Sequence, residues 1–177
     1  MKQKIILSII LTAIVSIAFA QSYPLVKIHA YSRATLGGAK PGGIVEEGGS
    51  EVKTAAVEKL NYFFYAEYRS AFKFTITGIW IKGKSYGIKT EPVAATPVTI
   101  NIVSPEGSES KVTLVPATAN KILHFYPSGQ PAITSKPTAW LKNLLESSEL
   151  VIKYQWKGKS WYYAVKKINR LDPVAGS

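Results

Sequence analysis

The sequence predicts an all-β domain, an antiparallel β-sandwich of about eight or nine strands with one short helix before a C-terminal hairpin. Three observations carry this expectation. Residues Leu60–Ile88 are dense in aromatic and β-branched side chains, the types that suit a pleated, half-buried surface. Elsewhere apolar residues recur mostly with a period of two, in short runs bounded by Gly, Pro, Asn or Ser. Thr138–Ser147 is the one stretch whose apolar residues fit helical spacing and no extended alternative.

The first twenty residues stand apart from the domain. Lys2 and Lys4 precede an apolar run from Ile5 to Phe19 that ends in Ala18-Phe19-Ala20, the pattern of a cleavable secretory signal peptide. The run is shorter than the roughly 18 to 20 residues that cross a bilayer, so residues 1–20 are expected to be removed and residues 21–177 to form one exported domain, periplasmic or secreted, with no transmembrane anchor. Removing 20 of 177 residues leaves 157, enough for one well-buried core. The chain has no cysteine, so packing and not disulfides must hold it, and a lipid-modified N-terminal cysteine is excluded.

Loss of Lys2 and Lys4 lowers the formal charge by two, from +11 to +9. The remaining basic residues are nearly all lysine, with only Arg33, Arg69 and Arg170 as arginines. Lysine is a hydrated point charge without the bidentate fork that reads bases and phosphates, so no specific nucleic-acid partner is expected. A lysine-rich surface keeps a β protein soluble and attracts anionic polymers.

In chain order, Pro24–Arg33 alternates Val26, Ile28 and Ala30 against Lys27, His29 and Tyr31. That makes a strand with His29 on its polar, solvent-facing side. Ala34–Ser50 holds three Gly-Gly pairs and is expected to be a mobile loop at residues 34–50; it lacks the pattern of a phosphate-binding loop. Residues 51–60 suit either a helix or an extended lead-in. Tyr62–Arg69, Phe72–Lys82 and a strand from Ser85 follow as a β-meander turning at Gly83-Lys84. Ile76 and Trp80 are placed on one face with Gly78, whose missing side chain signals a bulge or room for a ring. Val98–Ile102 and Lys111–Val115 flank a turn at residues 104–108, and Lys121–Tyr126 adds a strand that half-buries His124. Pro127–Pro137 is expected to be a linker. The helix at Thr138–Ser147 puts Trp140, Leu141, Leu144 and Leu145 on one side, as a plug for one end of the core. Leu150–Trp156 and Trp161–Val165 make a last hairpin, followed by a basic segment and a frayed Asp172-Pro173 tail. Strands of this number with short turns fit an immunoglobulin-like sandwich.

Two hairpin tips share the sequence Lys-Gly-Lys-Ser between aromatic flanks. Gly83 and Gly158 are expected at the first central position of type II′ turns. The candidate ligand-binding residues are therefore Trp80, Lys82, Lys84 and Tyr86 at one tip, and Trp156, Lys157, Lys159 and Trp161 at the other, since rings beside cations suit sugars or headgroups. No catalytic residue, cofactor or metal is expected. With two histidines, one aspartate and no cysteine, a triad or a zinc site lacks its parts, although His124 with a glutamate is the best candidate for a hydrolase. The expectation is a non-catalytic exported protein, either an accessory of the bacterial envelope that binds another protein or a module for an anionic glycan or polymer.

Overall fold

The computed structural model describes residues 23–36, 59–103, 109–132 and 136–175. The expected signal peptide, residues 37–50 of the Gly-rich segment, the undecided residues 51–58 and the turn at 104–108 lie outside the described residues. Among the described residues, ten strands and one helix follow in order. They are β1 (Leu25–Leu36), β2 (Lys59–Tyr68), β3 (Thr75–Ile81), β4 (Lys84–Val93), β5 (Val98–Val103), β6 (Glu109–Val115), β7 (Lys121–Ala132), α1 (Ala139–Glu146), β8 (Leu150–Trp156), β9 (Lys159–Val165) and β10 (Asn169–Ala175).

The protein is all-β, as its composition and periodicity require, but its strands divide eight to two. One sheet runs in the order β10-β1-β2-β7-β4-β3-β8-β9, and β5 pairs with β6 alone. All pairings are antiparallel except β1 with β10. The large sheet curls: Leu25 and Ile28 on β1 share one buried cluster with Ile152 and Trp156 on β8, and Tyr23 touches the Trp156 and Trp161 rings across the opening. Eight curled strands enclose about the space that their own side chains fill, and Phe64, Phe125, Ile79 and Ile152 fill it here.

The outer face is covered in two places. The β5–β6 hairpin lays Leu114 and Val115 against Tyr65 and Ile122, and α1 lays Leu141 against Trp80 and Val151. The β5–β6 cover explains why β2 is apolar on both faces over its first half, with Phe63 and Tyr65 packed beneath the hairpin. Helix α1 begins at Thr138, whose Oγ1 accepts from Leu141 N at 3.3 Å, a side-chain cap of the kind that satisfies a free helical amide. It is not an end plug. Trp80 and Val151 project apolar surface from the outer face, and the helix buries its own stripe there, leaving Trp140 57% exposed with its edge against Tyr162.

Bulges account for four further departures from the sequence pattern. A register shift between Ile76 and Gly78 inserts one residue, so Ile76 points into the core with Ile79 and Ile81 while Trp80 points outward. Gly78 does leave room for a ring: an added Cβ would lie 3.6 Å from the Trp80 indole. Residues 127–132 of the expected linker are the second half of β7, with Pro127 opposite Ile88 and Pro131 inside a shift between the Ser85 and Gly87 pairs. The expected frayed tail is β10, whose Pro173 falls in a shift opposite Ala34, where its missing N–H breaks no ladder. On β1 a shift at Val26 leaves that side chain exposed and keeps Ile28 and Ala30 inward.

Candidate functional site

Both Lys-Gly tips form by local turn chemistry, one residue earlier than expected. Ile81 pairs with Lys84 and Trp156 with Lys159, so the central residues are Lys82-Gly83 and Lys157-Gly158. All four have positive φ, at 48° and 78° in one tip and 49° and 72° in the other. Positive φ at both central positions is the type I′ geometry, which matches the twist of the flanking strands. Glycine therefore occupies the second central position, and the type II′ expectation does not hold.

The tips lie at opposite ends of the sheet. Ile81 pairs with Leu150 and Thr75 with Gln155, so the first tip stands beside the start of β8 and the second tip at its end. A seven-residue strand separates them by roughly 20 Å. The end where β1, β3, β7 and β9 finish is called the upper end below.

At the upper end the Lys82 amide donates to Glu149 O at 2.8 Å, which seats the first tip against the start of β8. Beside it opens a cleft of about 910 Å³ lined by Lys82, Gly83, Lys84, Lys142, Glu146, Glu149 and Lys166, with Pro131 and Ala132 of β7 across from them. Its two carboxylates are engaged: Glu146 lies 3.9 Å from Lys142 on the same helix, and Glu149 Oε2 accepts from Ile168 N at 2.7 Å. Among the described residues, Lys82, Lys84 and Lys166 have no carboxylate within ion-pair distance. A smaller cleft of about 380 Å³ shares Lys82 and Glu149 with the first and adds Tyr62 and Arg170. The upper end is thus a rim of cations around two adjoining recesses.

The lysines of both tips are exposed, but the tryptophans beside them are not. Trp80 is 8% exposed beneath α1 and Trp156 is 7% exposed in the core, while Trp161 and Tyr86 are half-buried against that same core. Lys157 Nζ sits 4.6 Å from the Trp156 ring centroid, a cation–π contact that occupies the cation locally. Of the eight candidate residues, Lys82 and Lys84 line the large cleft, and the second tip contributes nothing to it. Lys142 and Lys166 complete the cleft and were not singled out from sequence; their only signal was charge, because long-range packing brings them to the tip.

Two histidine positions carry titratable clusters on the outer face. His29 is 5% exposed, not solvent-facing: its face of β1 is covered where the connection from β6 to β7 crosses β2. Glu67 lies beneath that connection, accepting from Thr118 Oγ1 at 2.7 Å, Asn120 Nδ2 at 2.8 Å and His29 Nε2 at 3.2 Å. Burial disfavours the carboxylate, but the bonds from Asn120, Thr118 and His29 outweigh it and hold the Glu67 carboxyl below its ordinary range. An ionised carboxylate only accepts, so His29 carries its proton on Nε2.

His124 is half-buried as expected, stacked on Tyr65 at 4.8 Å. Its Nδ1 lies 4.0 Å from Glu91, and Tyr126 OH donates to the other Glu91 oxygen at 2.6 Å. Burial pushes the His124 pKa down against the opposing pull of Glu91. The Glu91 bond pushes the Tyr126 hydroxyl pKa up. Neither His124 nor Glu91 lines either upper-end cleft, and the described residues hold no group of three or more His, Cys, Asp or Glu side chains arranged for a metal. No helix among them is long and apolar enough to cross a membrane.

No family model matches the chain, and no curated protein or solved structure shows similarity to it.

Proposed function

We propose that this protein is an exported, non-catalytic binding protein of the bacterial envelope that holds an anionic glycan or polymer in the upper-end cleft. The supporting observation is the convergence of Lys82, Lys84, Lys142 and Lys166 on one recess of about 910 Å³. Cations lining a concave surface focus their field and raise the local concentration of a polyanion. Repeated carboxylates or phosphates would meet several ammonium groups at once, and lysine suits such non-bidentate contacts. The packing of the β5–β6 hairpin over Tyr65 and Ile122 of the large sheet supports reading that part of the molecule as a sandwich-like pair of layers.

Calorimetric titration with alginate at low and moderate salt tests this reading. The expected result is saturable binding that weakens with salt. It should be lost in the Lys82→Ser/Lys84→Ser variant and kept in Lys157→Ser/Lys159→Ser. Equal losses in the two double variants would mean that net charge alone drives binding, and the cleft reading would fall. A role as an accessory that binds another protein is favoured by a different observation, the two strand edges that β9 and the lower half of β1 leave unpaired among the described residues.

A further inference from the structure

We propose that the seam between β9 and the lower half of β1 takes up an extended, acidic segment of a partner protein as an added strand. This deepens the protein-partner reading and is independent of the cleft. On one edge β1 pairs with β2 over most of its length. On its other edge it pairs with β10 only from Tyr31 to Leu36. Strand β9 pairs with β8 and ends the sheet. Among the described residues, the free edge of Leu25–Ala30 and the free edge of β9 therefore have no ladder partner.

The curl brings these two edges toward each other. At the lower end Tyr23, just before β1, meets Trp161 of β9 with ring centroids 5.5 Å apart. At the upper end residues 166–168 cross from β9 to β10, a link that spans at most about 14 Å when fully extended. One strand placed between two others needs about 9.6 Å, two interstrand spacings. Both bordering strands run toward the upper end, so an entering strand would run antiparallel to each. Unpaired edges of this kind are templates for strand addition.

The chemistry of the borders selects the occupant. Lys27, Lys157, Lys159, Lys166 and Lys167 flank the seam and are all exposed. No Asp or Glu occurs in Leu25–Leu36 or in Lys157–Arg170. A second copy of this chain would bring the same lysines to the same edge and be repelled, whereas a segment with acidic residues would be attracted.

The test is amide hydrogen exchange of the exported chain with three synthetic decapeptides. One alternates Val and Glu, the second has Lys in place of Glu, and the third is the Glu peptide fully N-methylated. The expected result is that only the first slows exchange, by about tenfold or more, at amides within Lys159–Val165 and Leu25–Ala30, in the parent and in Lys82→Ser/Lys84→Ser alike. Equal protection by the Lys peptide overturns the charge argument, and equal protection by the N-methylated peptide overturns strand addition. Protection at the upper-end cleft instead of β9 overturns the seam while leaving the protein-partner reading standing. No protection by any peptide overturns the proposal outright.

Discussion

Glu67 offers the sharpest test of how this fold is held together. Its carboxylate ties three segments that are distant in sequence, through His29 on β1 and through Thr118 and Asn120 in the connection between β6 and β7. Glu67→Ala removes three bonds to a charged acceptor and strands a His29 ring that is almost fully buried. Thr118 and Asn120 can regain water because they are only part-buried, which limits the loss to about 3 to 4 kcal/mol. Glu67→Gln is a different perturbation. Its oxygen still accepts from Thr118 and Asn120, and its amide donates to His29 once that ring moves its proton to Nδ1, so the cost falls to roughly 1 kcal/mol. With a urea m-value of about 2 kcal/mol/M, the midpoints should drop by about 2 M for Ala and about 0.5 M for Gln. The pH dependence separates the two further. Because the folded pKa lies below the ordinary range, the unfolded chain binds more protons between the two values. Glu67's contribution is therefore complete above the ordinary carboxylate range and is lost as pH falls through the folded value. Urea melts at several acidic pH values should show that loss in the parent and not in Glu67→Gln. Identical midpoints for the Ala and Gln variants would refute the three-donor account.

Four other expectations follow from the local surroundings of single residues. Gly87→Ala should cost about 2 kcal/mol or more by thermal melting, because a Cβ there would lie 2.9 Å from the backbone oxygen of Ser128. Gly78→Ala should cost under about 1 kcal/mol, since its nearest new contact is an ordinary 3.6 Å. Replacing Lys82 or Lys157 by Asn should stabilise the hairpins by a few tenths to about 1 kcal/mol, as Asn-Gly is the preferred pair where both central φ values are positive; unchanged melting in both would remove the type I′ explanation. In an NMR titration His124 should ionise below the ordinary histidine value. Its ionisation should fall further in Glu91→Gln, because burial lowers it and Glu91 raises it. The folded state keeps this ring neutral to lower pH than the unfolded chain does, so its contribution to stability declines as pH falls through the ordinary histidine range.

What could be seen in the sequence was local. Alternation in Tyr62–Tyr68 located β2, Thr138 capped α1 where the helical spacing began, and the Lys-Gly pairs marked both late hairpins. Bulges hid part of the rest, because a single inserted residue exchanges the two faces of a strand and leaves no mark in composition; strand order hid another part, since β7 lies between β2 and β4 and the expected meander keeps only its β3–β4 hairpin. Ile76 and Trp80 look like neighbours on one face until the extra residue near Gly78 separates them. The prolines after Tyr126 argue against a strand, and β7 continues only because Pro131 falls in a bulge. Alternation sets His29 with Lys27 and Tyr31 on the polar side of β1; the segment that buries it lies about ninety residues later.

The sequence by itself determined the all-β class, the reliance on packing in a chain without cysteine, the basic composition and, to within one residue, the place of the two glycine-bearing turns, but not their type. Each depends on residue type and near neighbours, which are written in order along the chain. Tertiary structure alone decided that the tips stand at opposite ends, that Lys142 and Lys166 join Lys82 and Lys84 around one cleft, and that β9 and the lower half of β1 have edges without a ladder partner among the described residues. Those outcomes depend on strand order and curl, which arise when the whole chain buries its apolar surface at once.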